Sequence, residues 1–179
     1  VSVYPTLYAG QRMTAALLQA LVPDIKYKSA QTTRASTTTV TDDPDLTTTL
    51  EANAVYDVWM LLMAGTAGPA SGGTNAGLQT KWTVPSGASG TRQVVGLGST
   101  QTQTNADNVS ARLGAHGFAT AVNYGTRNSD NSLFFTVWER ATVFTTSSGT
   151  LALGWAQVVS NATATIVAAG SSMHVKRVA

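Results

Sequence analysis

From Ile25 to the end of the chain, short runs rich in Val, Thr and aromatic residues are broken by Gly, Pro, Asn and Asp at intervals of roughly 8 to 15 residues, the rhythm of a sandwich or barrel. The runs fall at 25–30, 36–41, 46–50, 54–63, 77–84, 91–97, 117–124, 132–138, 141–146, 150–158, 163–168 and 171–178. Between them, Asp42-Asp43-Pro44-Asp45 reads as a turn joining two Thr-rich strands, and Gly65–Gly77, Pro85–Gly90 and Thr100–Asn108 read as loops. Leu78, Thr80, Trp82 and Val84 alternate with Gln79, Lys81 and Thr83. Near the C-terminus Leu151, Leu153 and Trp155 share one face, while Ala152, Gly154 and Ala156 on the other leave room for a second layer to approach closely. No βαβ alternation is present, so the predicted fold is all-β, an antiparallel jelly-roll sandwich. Composition supports this, because threonines outnumber the 11 basic and 9 acidic residues together, and Thr favours strands and turns over helix interiors.

The first 24 residues differ. VSVYPTLYAG is uncharged and aromatic with Pro5, which suits an extended arm, and Tyr4, Leu7 and Tyr8 give that arm a need for a partner. Thr14 is a candidate N-cap for a helix over Ala15–Leu21 that carries Met13, Leu17, Leu18 and Leu21 on one side and ends at Pro23. About two turns of helix do not persist in water without docking, either on the chain's own domain or on a neighbour. The expected division is therefore an anchor over 1–24 and a jelly-roll domain over 25–179.

Several kinds of chemistry are excluded or weakly supported. With no cysteine, disulfides, cysteine-ligated metal and thiol nucleophiles are absent, and two histidines offer little for any other transition metal. A net charge of +2 from singly scattered residues forms no basic stripe, so no nucleic-acid partner is expected. The longest apolar stretch, Val58–Ala64, is too short to span a membrane as a helix, and the N-terminus has no basic n-region, so neither a membrane partner nor Sec export is expected. Asp42, Asp43, Asp45, Glu51 and Asp57 could in principle bind Ca²⁺ or supply a glycosidase pair, but they lack the spacing of a dedicated loop. His116 and His174 have no Gly-x-Ser-x-Gly elbow beside them. Trp59, Trp82, Trp138 and Trp155 all lie in strand runs and read first as sheet-packing residues. No enzyme and no cofactor are expected.

Three stretches carry a resemblance: Tyr8-Ala9-Gly10-Gln11-Arg12-Met13-Thr14-Ala15-Ala16-Leu17-Leu18, then Ser36-Thr37-Thr38-Thr39-Val40-Thr41-Asp42-Asp43-Pro44-Asp45-Leu46, and Glu51-Ala52-Asn53-Ala54-Val55-Tyr56. They resemble small virion and prophage proteins of actinobacterial tailed phages. The closing segments Gly149–Gln157, Ser160–Thr163 and Gly170–Val178 are similar to the last strands of trimeric jelly rolls of the tumour necrosis factor-like kind. The resemblance implies a homotrimer with Leu151, Leu153, Trp155 and Gln157 near the three-fold axis. It also implies a virion structural protein, made in the host cytoplasm and displayed on the particle exterior. Tyr4, Leu7, Tyr8, Leu17, Leu18 and Leu21 would then contact the major capsid protein or tail proteins of the same virion. Capsid decoration is the first expectation. The alternative is a minor tail or tail-tip adhesin that binds a host cell-surface glycan through Phe118, Tyr124 and the 65–77 loop. No heptad or collagen-like stretch is present, which favours a compact module over a fibre tip.

Overall fold

The computed structural model describes residues 7–68, 76–99, 110–127 and 131–179. In chain order the elements are α1 (Ala15–Leu21), β1 (Asp24–Tyr27), β2 (Thr32–Arg34), β3 (Thr41–Leu50), β4 (Ala54–Gly65), β5 (Leu78–Thr83), β6 (Arg92–Leu97), β7 (Ala111–His116), β8 (Val122–Tyr124), β9 (Phe135–Thr145), β10 (Gly149–Ala156), β11 (Thr165–Val167) and β12 (Ser172–Arg177). The larger sheet runs β1-β12-β4-β9-β6-β7, with β11 beside β4 and β2 beside β11; the smaller runs β3-β10-β5-β8. Every pairing is antiparallel.

Setting aside the β6–β7 hairpin and the short β2 and β11, eight strands remain. Numbered along the chain, the first, eighth, third and sixth form one sheet and the second, seventh, fourth and fifth the other. That interleaving is the jelly roll, as the strand rhythm predicted. The β6–β7 hairpin extends the larger sheet beyond β9.

Between the sheets, alternate residues of each strand make one core, including Tyr56, Met60, Leu62, Trp82, Leu151 and Trp155. Two ion pairs are sealed inside it. Arg92 on β6 bonds Glu139 on β9 at 2.6 Å, and both side chains are wholly buried. Glu139 also accepts from Thr80 Oγ1, Trp82 Nε1 and Tyr124 Oη, so the pair on the larger sheet is bonded to three residues of the smaller. Burial, then the Glu139 charge, pushes the Tyr124 phenol well above its usual range. At the other end, Lys28 Nζ donates to Asp43 at 2.9 Å, to Asp45 at 2.7 Å and to Thr32. Asp43 also accepts from Trp155 Nε1.

These pairs explain two departures from the expected strands. Asp42–Asp45 is not a turn between strands but a bulge inside β3: Ala152 faces Thr47 and Gly154 already faces Asp42, so the intervening residues loop out of the ladder. Asp43 points inward to Lys28 and its Oδ1 accepts from the amides of Asp45 and Leu46, while Pro44, with no donor to lose, is exposed. The expected strands 132–138 and 141–146 are one continuous β9, because Glu139, which read as a break, keeps the inward phase by pairing with Arg92. The expected strand 117–124 is a turn at 117–120 followed by β8, and β7 lies ahead of it.

Candidate assembly surface

The outer faces of the two sheets are chemically different. On the smaller sheet, the outward residues of β10 are Ala152, Gly154 and Ala156, flanked by Thr47 and Asp42 on β3 and by Thr83, Lys81 and Gln79 on β5. Residues 37–40 lie across this face as a strap, and Arg34, at the end of β2, ties the chain ahead of it to the inward Trp155 and to the start of β3. Arg34 places its guanidinium over the Trp155 ring at 4.1 Å and donates to the carbonyls of Thr41, Asp42 and Trp155. Gln79 Nε2 donates to Thr38 O, and Thr37 N donates to Gln157 Oε1. A Cβ on Gly154 would lie 3.0 Å from Val40 Cγ1, so the small residues of β10 do receive a close layer, supplied by the same chain.

Among the described residues, no such strap crosses the central strands of the larger sheet. Its strand register aligns Ile25, His174, Trp59, Arg140, Gln93 and Ala115 in one cross-strand row. The next row is Tyr27, Ser172, Leu61, Trp138, Val95 and Leu113. Five strand spacings make this face about 24 Å wide. Tyr27 is 67% exposed, Trp138 48% and Leu113 71%, and Ile25, Leu61 and Val95 are exposed beside them. Isolated exposed apolar residues are ordinary, but a contiguous sheet of them marks an interaction site.

Charge on this face is nearly self-compensated. Arg140 makes a two-pronged pair with Asp57, both bonds at 3.0 Å. His174 stacks on Trp59 with ring centroids 3.7 Å apart, and burial of the ring pushes its pKa below the usual histidine value. Two shallow depressions flank Trp138 and Arg140: one of about 170 Å³ is shared with Asp57 and Trp59, and one of about 160 Å³ with Gln93 and Val95.

The residues expected at a three-fold axis are elsewhere. Leu151, Leu153, Trp155 and Gln157 have no exposed surface. This is a correction: the core and the strap already cover these side chains, which leaves nothing for a second chain to bury. Phe118 and Tyr124, expected as exposed glycan contacts, are also buried; Phe118 stacks on Trp82 and the Tyr124 hydroxyl is held by Glu139. Of the 65–77 loop, residues 69–75 lie outside the described residues. Of the four tryptophans, Trp82 and Trp155 are core, Trp59 is half-buried and Trp138 is exposed. The acidic residues weighed for Ca²⁺ have other partners: Asp43 and Asp45 hold Lys28, Asp57 holds Arg140, Glu51 holds Arg177, and Asp42 accepts from Thr83.

The anchor segment is helical where expected. Leu17 N donates to Thr14 Oγ1, the predicted cap, over α1. Leu7, Tyr8 and Leu18 are exposed, as are Met13 and Val22, while Leu17 and Leu21 are half-buried. Tyr4 lies outside the described residues.

The sequence carried one sign of the exposed face that the alternation argument passed over. Along β4 both phases are apolar, Tyr56, Val58, Met60 and Leu62 inward and Val55, Trp59, Leu61 and Met63 outward. A strand that is apolar on both faces wants cover on both.

No family profile and no curated protein matches this chain. Among solved structures, the chain is similar to the tripod from the baseplate of bacteriophage Tuc2009, with 9% identity over 97% of this chain and 73% of that one and a TM-score of 0.33. It is also similar to infectious bursal disease virus, Gx strain, at 10% identity over 87% of this chain and 41% of that one, with a TM-score of 0.21. Superpositions this loose assign no family.

Proposed function

We propose that this chain is a non-enzymatic structural protein of a phage virion, a trimeric jelly-roll module on the particle exterior, with capsid decoration as its role. The observation that carries the reading is the N-terminal segment. Leu7, Tyr8, Met13, Leu18 and Val22 face solvent, while the hydrogen bonds around the arm and cap are local, Tyr8 N to Gln11, Leu17 N and Leu18 N to Thr14. Burying such side chains on a particle gains about 25 cal/mol for each Å² of apolar surface. Three such anchors on one trimer then act together, multiplying modest contacts into firm attachment. The resemblance to actinobacterial phage virion proteins points the same way.

The second reading, a tail adhesin for host-surface carbohydrate, is favoured by one feature. An open cleft of about 560 Å³ lies between Lys81, Thr83, Gly117 and Thr120, with polar groups at its rim. Copy number separates the two. Quantitative mass spectrometry of intact particles against the major capsid protein is expected to give hundreds of copies, and a chain lacking residues 1–12 is expected to be absent from particles. A few copies per particle would move the protein to the tail, and decoration by the truncated chain would overturn the anchor.

A further inference from the structure

We infer that the outer face of the larger sheet is covered by neighbouring copies of this same chain, so that Leu61, Val95, Leu113 and Trp138, and not β10, form the self-association surface. The inference rests on the self-association in the reading above and not on the virion.

Size is the first argument. The two central rows and the outward residues on either side of them, Asp57 and Thr142 above, Met63 and Thr136 below, give a patch about 24 Å by 20 Å. That is the scale of the apolar centre of a standard interface, which takes about 800 Å² from each partner once its rim is included. The arrangement also has the expected anatomy. Leu61, Trp138, Val95 and Leu113 run side by side in one row, with Thr136 and Thr142 in the flanking rows and Gln93 and Ser172 as polar positions within the patch.

Charge is the second argument. Asp57 and Arg140 neutralise each other within the face, leaving Lys176 as its one uncompensated full charge among the described residues. A face this close to neutral offers no field to a polyanion and sets up little repulsion against its own copy. It is therefore suited to contact with a neighbouring copy of the same chain. The depressions on both sides of Trp138 provide sockets for the aromatic and leucine side chains that an opposing copy presents.

Continuity is the third. β1, the edge strand that carries Ile25 and Tyr27, follows directly from the anchor helix through the exposed Val22.

The test is the solution mass of the full chain by sedimentation velocity, for wild type, Trp138→Glu, Leu113→Glu and, on the opposite sheet, Thr83→Glu. The wild type is expected as a multiple of 18.6 kDa at about 10 μM. Trp138→Glu and Leu113→Glu are expected to weaken association by about 30-fold or more, with unchanged far-ultraviolet circular dichroism. Thr83→Glu is expected to leave the mass unchanged. Should Trp138→Glu misfold, Leu113→Glu, at the rim on β7, decides the matter. A monomeric wild type, an assembly indifferent to both large-sheet variants, or one dispersed equally by Thr83→Glu would each overturn the inference. A monomeric wild type that binds phage particles while Trp138→Glu and Leu113→Glu do not would overturn the inference and assign the face to a virion partner instead. None of these outcomes depends on copy number, so this inference and the decoration reading fail separately.

Discussion

The two outer faces of this sandwich come from the same strand rhythm and meet water on opposite terms. On the smaller sheet the outward phase is small on β10 and polar on its neighbours, and residues 37–40 close over it, with Gln79 donating to Thr38 O and Thr37 N to Gln157. On the larger sheet the outward phase includes Tyr27, Trp59, Leu61, Val95, Leu113 and Trp138, with no equivalent strap over the central strands among the described residues. One face is covered within the chain; the other is left open among the described residues. Alternation fixes which residues share a face, but the covering layer decides whether that face is interior, solvent or interface.

The largest effect is expected from breaking what the two faces share. Arg92→Ala leaves Glu139 buried without its cation, and removing one partner of a buried pair costs about 3–5 kcal/mol. Urea unfolding is expected to show a loss of that size. A change of less than about 1 kcal/mol would mean that the pair does not tie the sheets together.

A smaller effect is expected from the strapped face alone. Gly154→Leu forces its side chain into Val40, Asp42 and Lys81, and overpacking of this kind costs about 1–3 kcal/mol. The urea midpoint should fall while the solution mass stays that of the wild type. If association is lost instead, the smaller sheet carries an interface after all.

The smallest effect concerns pH and the exposed face. The His174 ring, stacked on Trp59, has its pKa lowered by burial, so the folded chain prefers it neutral. Its contribution is then fully present above the unfolded value, near 6.5, and is lost as pH falls through the lowered folded value. Trp59 faces the ring from β4 and Ile25 from β1; Lys176, two residues along β12, and the Asp57–Arg140 pair on β4 and β9 are the charged groups around it. Lowering the pH from 7.5 to 5 is expected to reduce thermal stability and association modestly, and His174→Gln to flatten that dependence. An unaltered pH profile in the variant would remove His174 from the account.

Much of the fold was legible because local rules acted alone. The cap at Thr14, the helix it starts and the β4 and β10 strands follow from neighbouring residues. Legibility failed where a distant partner overrode local chemistry. Asp42–Asp45 has the residues of a turn, but Lys28 draws Asp43 inward across fifteen positions and keeps the segment within a strand. Glu139 read as a break in β9 because its cation, Arg92, is forty-seven positions away. The site was less legible than the fold. Trp138 shares its phase with Thr136 and Arg140, opposite to Phe135 and Val137, whereas Trp155 shares its phase with Leu151 and Leu153; reading all four tryptophans alike as sheet-packing residues missed that difference.

Hydroxyl-radical footprinting of the full chain, compared above and below its association concentration, tests the difference between the faces most directly. Association is expected to protect Trp59, Leu61, Val95, Leu113 and Trp138 and to leave Thr47, Thr83 and Lys81 unchanged. Protection of the smaller sheet, with the larger sheet's aromatics equally reactive in both states, would contradict the account.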